Sequence, residues 1–144
     1  MADEKMDFSA FMAENVIQAE PVEYAVSKRF HDKDGEAIKW KIRPFSADEN
    51  DRLIKSFTKK IRLPNGERST QFDKERYMVA SVVKAVIYPN LNDAGLQNSY
   101  GVMSAEELVK KMLLPGEFDD LANAVAQALG FETSVADDVE TAKN

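Results

Sequence analysis

The spacing of apolar positions changes period several times along this chain, and each change predicts an element. Between residues 7 and 18, Phe8, Phe11, Met12 and Val16 recur at helical intervals. This predicts a short amphipathic helix capped by Asp7. Glu20-Pro21 ends it, because a residue before proline is pushed out of the helical region. Residues 22–43 switch to period two. Val22, Tyr24, Val26, Lys28 and Phe30 alternate with Glu23, Ala25, Ser27 and Arg29, and Ile38, Trp40 and Ile42 alternate with Ala37, Lys39, Lys41 and Arg43. Two such runs around Asp34-Gly35 predict a β-hairpin. A three-residue loop at Lys33-Asp34-Gly35 pairs Phe30 with Ile38, Lys28 with Trp40 and Val26 with Ile42. That register puts the apolar side chains on one face, whereas a slip of one residue separates them. Lys28 opposite Trp40 then forms a cation–π pair.

Helical spacing returns after Pro44. Ser46-Ala47-Asp48-Glu49 is a capping box, and Leu53, Ile54, Phe57 and Ile61 form the stripe that follows it. Leu63-Pro64-Asn65-Gly66 signals a turn, so 62–70 reads as an exposed loop or small hairpin. A helix is expected from Phe72 to Tyr88, capped by Thr70 and central to the fold because few of its positions are polar. After an irregular connection over 90–101, Ser104-Ala105-Glu106-Glu107 opens another helix, with Met103 and Leu108 placed as a hydrophobic staple. Met78, Met103 and Met112 are expected in the core. Pro115 starts the last helix at its favoured first position, and Gly130-Phe131 has the form of its glycine cap. The fold class that follows is α+β, mainly helical, with one antiparallel β-hairpin packed on four or five helices. Its divisions are an N-terminal helical arm over 1–20, one globular domain over 21–131, and an acidic tail over 132–144 expected to be disordered.

Composition narrows the chemistry. The chain has 144 residues, no cysteine and one histidine, His31. Thiolate metal sites, cysteine nucleophiles and most imidazole-based catalysis are thereby excluded. The cluster Asp32, Asp34, Gly35 and Glu36 fails as a calcium loop, because Phe30 and Lys41 occupy the first and twelfth positions if Gly35 is the sixth. No phosphate-binding glycine loop or nucleophile elbow is present. The reading is a non-enzyme with no catalytic, cofactor-binding or metal-binding residues. No apolar run approaches the ~20 residues of a membrane span, and no membrane partner is expected. The start is acidic and lacks a secretory layout, which points to an intracellular protein.

Charge is unevenly spread. The net charge is −6, yet residues 28–62 hold eleven Lys or Arg against six acids. Such an island offers an alternative function, nucleic-acid binding, although an acidic whole-chain field opposes it and no recognition signature accompanies it.

The order of these pieces resembles a family. The residues that carry the likeness are the hairpin ending Ile38-Lys39-Trp40-Lys41-Ile42-Arg43-Pro44, then Tyr88-Pro89-Asn90-Leu91, then Leu96-Gln97-Asn98-Ser99-Tyr100-Gly101-Val102, and finally Lys110-Lys111-Met112-Leu113-Leu114-Pro115-Gly116-Glu117-Phe118. Together, over about residues 8–131, they are similar to the XkdN-like phage tail assembly chaperones of contractile-tailed phages and defective prophages of Gram-positive bacteria. The resemblance implies transient binding of the tape measure protein, with the tail tube protein a further candidate partner. It also implies action in the bacterial cytoplasm and absence from the mature virion. It supplies no catalytic residue and no cofactor. The candidate partner-binding residues are Phe8, Phe11, Met12 and Val16. A helix this short gains little stability alone, so the arm is expected to cover an apolar groove of its own domain until a client helix displaces it.

Overall fold

The computed structural model describes residues 7–131, so the acidic tail over 132–144 lies outside the described residues. The class is α+β: five helices accompany a three-stranded and a two-stranded antiparallel sheet. The first sheet has the order β1 (Val22–Tyr24), β2 (Trp40–Ile42), β5 (Val86–Tyr88). Strand content therefore exceeds the single hairpin expected.

At its tip the first hairpin follows the sequence reading. The Asp32 amide donates to the Glu36 carbonyl at 2.9 Å, His31 pairs with Ala37, and the Ile38 amide reaches the Phe30 carbonyl at 2.8 Å. Gly35 supplies the left-handed residue, with φ of 82°. Asp32 Oδ1 accepts from the amides of Asp34 and Glu36, so turn chemistry accounts for the acidic cluster. Further out the register differs. Tyr24 faces Trp40 and Val22 faces Ile42, so the expected Val26–Ile42 and Lys28–Trp40 pairs do not form. The chain turns away at Ser27–Arg29, where the Ser27 hydroxyl accepts from the Arg29 amide. The offset between the two registers is four residues. An even slip preserves side-chain parity, which is why Val26, Trp40 and Ile42 are still buried. Trp40 packs against Phe30 in place of a lysine, with ring centroids 5.8 Å apart and planes tilted by 41°, and Arg29 lies over the Phe30 ring.

The second difference lies between 56 and 72. Helix α1 (Ala47–Ser56) is capped by Ser46, which accepts from the Glu49 amide. It stops before Phe57 and Ile61. The Thr58 hydroxyl donates to the Ile54 carbonyl at 2.7 Å, taking up an acceptor that a further turn would use. The chain then forms a hairpin of β3 (Thr58–Arg62) and β4 (Arg68–Phe72) around Pro64-Asn65-Gly66. Its turn repeats the first one: the Leu63 amide bonds the Glu67 carbonyl and Gly66 has φ of 89°.

Helix α2 (Lys74–Ala85) is capped by Asp73, three residues later than the expected Thr70. It ends at Ala85, not Tyr88. Val86-Ile87-Tyr88 are β-branched or aromatic and precede Pro89, which favours extension, and they join β2 as β5. Short α3 (Ala94–Ser99) occupies part of the expected irregular stretch. Helices α4 (Ala105–Met112) and α5 (Pro115–Ala128) follow. Ser104 caps α4 as expected, but Met103 is 90% exposed and forms no staple on buried Leu108. Met78 is 37% exposed; Met112 alone of the three expected core methionines is buried. Gly130 ends α5, with the Phe131 amide on the Ala126 carbonyl and the Gly130 amide on that of Gln127.

Helix α2 is central. It touches α1, α4, α5 and β5. The core joins Trp40 and Ile42 of the sheet to Val82 of α2, Leu108 and Val109 of α4, and Leu121 and Val125 of α5. Trp40 is 2% exposed. Replacing it with Ala should cost about 3–5 kcal/mol in chemical denaturation, by lost burial and a residual cavity. An unchanged midpoint would show that the sheet does not anchor the core.

Candidate partner-binding surfaces

Two surfaces stand outside that core. The first is the N-terminal arm, residues 7–20. The expected amphipathic helix over 7–18 does not form; a single 3-10 turn spans Ser9–Phe11. A short helix lacking a covering surface is marginal in water, and local bonds take its place. Asp7 Oδ1 accepts from the Ser9 amide at 2.9 Å, and the Asn15 side-chain amide donates to the Ser9 carbonyl at 2.8 Å. The Ser9 amide and hydroxyl beside Asp7 hold its carboxyl below the usual carboxylate range. The arm does not cover its own domain. Phe8, Phe11, Met12 and Val16 are all exposed, Phe11 to 78%. Ile17, which the stripe reading omitted, is the barest at 94%. Its signal was the apolar pair Val16-Ile17.

The second surface is an open groove of about 940 Å³ between Phe57, α2, α4 and the start of α5. Its apolar lining is Phe57, Met78, Val79 and Phe118, and its charged lining includes Glu75, Glu106, Glu107 and Asp119. Two cations lie against its rings: Arg76 at 5.4 Å from the Phe57 centroid and Lys110 at 4.6 Å from that of Phe118. The acids outnumber these cations. The arm is itself acidic, with Lys5 against Asp3, Glu4, Asp7, Glu14 and Glu20 over residues 1–20. Like charge therefore opposes the self-covering arrangement expected from the sequence.

A long-range clasp fixes the groove's α5 end. Arg29 donates to the Met112 carbonyl at 3.0 Å and pairs with the Glu117 carboxylate. Glu117 also accepts from the Leu114 amide at 2.8 Å, capping α5 one residue before Phe118. The Arg29 guanidinium, then the Ser27 hydroxyl and the Leu114 amide, draw the Glu117 carboxyl from 4.5 down to about 2.

Three cations of the basic island have partners within the chain. Arg29 is held by Glu117, Arg52 pairs with Asp48 at 2.7 Å, and Lys41 lies over the Tyr88 ring. His31 is exposed, with Nδ1 at 2.9 Å from the Asp32 carbonyl oxygen. Among the described residues no group of three or more His, Cys, Asp or Glu could hold a metal ion, and no helix is long and apolar enough to cross a membrane.

Comparison with known proteins finds relatives of the whole chain. The sequence model of phage XkdN-like tail assembly chaperone proteins matches residues 8–143. Two Bacillus subtilis (strain 168) proteins, the phage-like element PBSX protein XkdN and the uncharacterized protein YqbN, are each 30% identical over 139 residues. The alignments cover 96% of this chain, with 94% of the first protein and 93% of the second. The crystal structure of YqbN superposes with a TM-score of 0.76 at 27% identity, covering 90% of this chain and all of that one.

The clasp has a signed pH dependence. Because the folded state depresses the Glu117 pKa, its stabilisation is complete above the unfolded value near 4.5 and is lost as pH falls through that value toward about 2. Melting temperatures of the parent and Glu117→Gln proteins should therefore differ at neutral pH and converge across that acid window. A difference that persists undiminished at the acid end would remove the carboxylate from the explanation.

Proposed function

The chain belongs to the XkdN-like phage tail assembly chaperone family, and from that premise we propose that it transiently binds the tape measure protein and keeps it soluble during tail assembly. The proposed setting is the host cytoplasm, and the chaperone leaves before the tail is finished. It performs no reaction.

The observation that carries this reading is the uncovered arm. Phe8, Phe11, Met12, Val16 and Ile17 lie within ten residues, and all are exposed. A soluble protein rarely leaves such a concentration of apolar surface without a partner. A tape measure protein is a long, largely helical chain whose apolar stripes lack their final partner before the tube polymerises. Phe8, Phe11, Met12 and Val16 keep helical spacing, so the arm has a matching stripe to offer once a client helix covers it. Folding on contact also limits affinity, because the arm is ordered at that moment. A chaperone that must release its client needs that limit.

Deletion of residues 1–20 tests the reading. The truncated protein should melt as the parent does, since none of Phe8, Phe11, Met12, Val16 or Ile17 contributes to the core. Coexpressed tape measure protein should then move from the soluble to the insoluble fraction. A truncated protein that still copurifies with soluble tape measure protein would show that the arm is not the client contact.

A further inference from the structure

The β3–β4 hairpin carries a charge arrangement that its own stability does not explain. Residues 58–72 contain Lys59, Lys60, Arg62 and Arg68 against one acid, Glu67, while the rest of the chain is net −9. Arg62 stands directly opposite Arg68 in the register, and Lys60 is opposite Thr70. Alternation puts Lys60, Arg62, Arg68 and Thr70 on one face of the ribbon. Like charges directly opposite each other on antiparallel strands are destabilising. Among the described residues none of the four cations forms an ion pair or lies over an aromatic ring. Cations also guard strand edges against aggregation, but a guard does not require two arginines face to face. A local rule broken without internal compensation marks a site with an external partner.

The backbone adds a second feature. This sheet has only two strands, so the outer edge of β4 is unpaired along Arg68–Phe72, all of whose residues are exposed. An open depression of about 540 Å³ runs along Lys60, Ile61, Arg62, Arg68, Ser69 and Thr70. We infer that this hairpin docks an extended acidic segment of a partner protein, which adds to β4 as a third strand and places its carboxylates against Arg62, Arg68 and Lys60. Strand addition supplies affinity through main-chain bonds, and the cations supply selectivity. Charge complementarity decides against duplex DNA. A duplex extends beyond the ~17 Å of a five-residue strand and would lie in the repulsive field of the acidic remainder, whereas a short acidic strand meets the hairpin alone. The inference does not rest on the tape measure reading, because the arm and the hairpin are separate segments.

The test uses the full chain and a fluorescent peptide alternating Glu and Thr, followed by anisotropy at low salt. The parent should bind it, and added salt should weaken the complex. A double variant, Arg62→Thr with Arg68→Thr, should bind at least about tenfold more weakly, with a melting temperature equal to or above the parent's. Hydrogen exchange of the Arg68–Phe72 amides should slow when the peptide binds. The inference fails if the peptide does not bind, if the double variant binds as well as the parent, or if those amides show no added protection. It also fails if duplex DNA binds the hairpin more tightly than the peptide. Salt-sensitive self-association abolished by the double variant would assign the hairpin to the acidic arm of a second copy instead.

Discussion

The apolar face of the three-stranded sheet must be covered, and the rest of the fold follows from that constraint. Strands of three residues cannot persist alone in water. Trp40 and Ile42 are buried only because α2, α4 and α5 close over them. Helix α2 in turn leads directly into β5, so the element that covers the sheet also supplies its third strand. Arg29 leaves the β1 side of the hairpin to bind the carbonyl of Met112 and the carboxylate of Glu117, tying the sheet to the α4–α5 junction. Once these demands are met, two segments are left outside: the apolar acidic arm and the basic β3–β4 hairpin. The first serves the proposed client contact, and the second is free to meet an acidic strand.

Features set by local chemistry were legible in the sequence. Gly35 marks a left-handed turn position, Leu63-Pro64-Asn65-Gly66 marks a turn, Ser46 and Ser104 cap their helices, and Gly130 closes α5, each through bonds spanning a few residues. The class, α+β, was legible for the same reason. Segments whose state depends on distant partners were misread. Phe57 and Ile61 have helical spacing, yet their segment pairs with one that lies beyond a turn. Val86-Ile87-Tyr88 extend a helical pattern but find β2, more than forty residues earlier in the chain. The register of the first hairpin follows its turn at the tip and changes at Ser27–Arg29, the segment from which Arg29 reaches Glu117, 88 residues away. No periodicity reports such a contact.

Of the candidate partner-binding residues, the sequence revealed the stripe and not its state. Phe8, Phe11, Met12 and Val16 repeat at helical spacing, but the spacing is silent on whether a domain or a partner covers it. Helix formation here is conditional on burial, and the groove between Phe57, α2, α4 and α5 is lined by more acids than bases. Ile17 was passed over because it falls off the stripe. The groove itself is assembled from Phe57, α2, α4 and α5, so no contiguous motif announces it.

The central claim is that the apolar arm lacks a partner in the free chaperone and acquires one in the client. Hydrogen exchange by mass spectrometry, on the free protein and on its complex with a tape measure fragment, reads this directly. The arm amides from Phe8 to Ile17 should exchange fast in the free protein and slow markedly in the complex, while α2 and β2 remain slow in both. Arm amides already protected in the free protein, or equally fast in the complex, would contradict it.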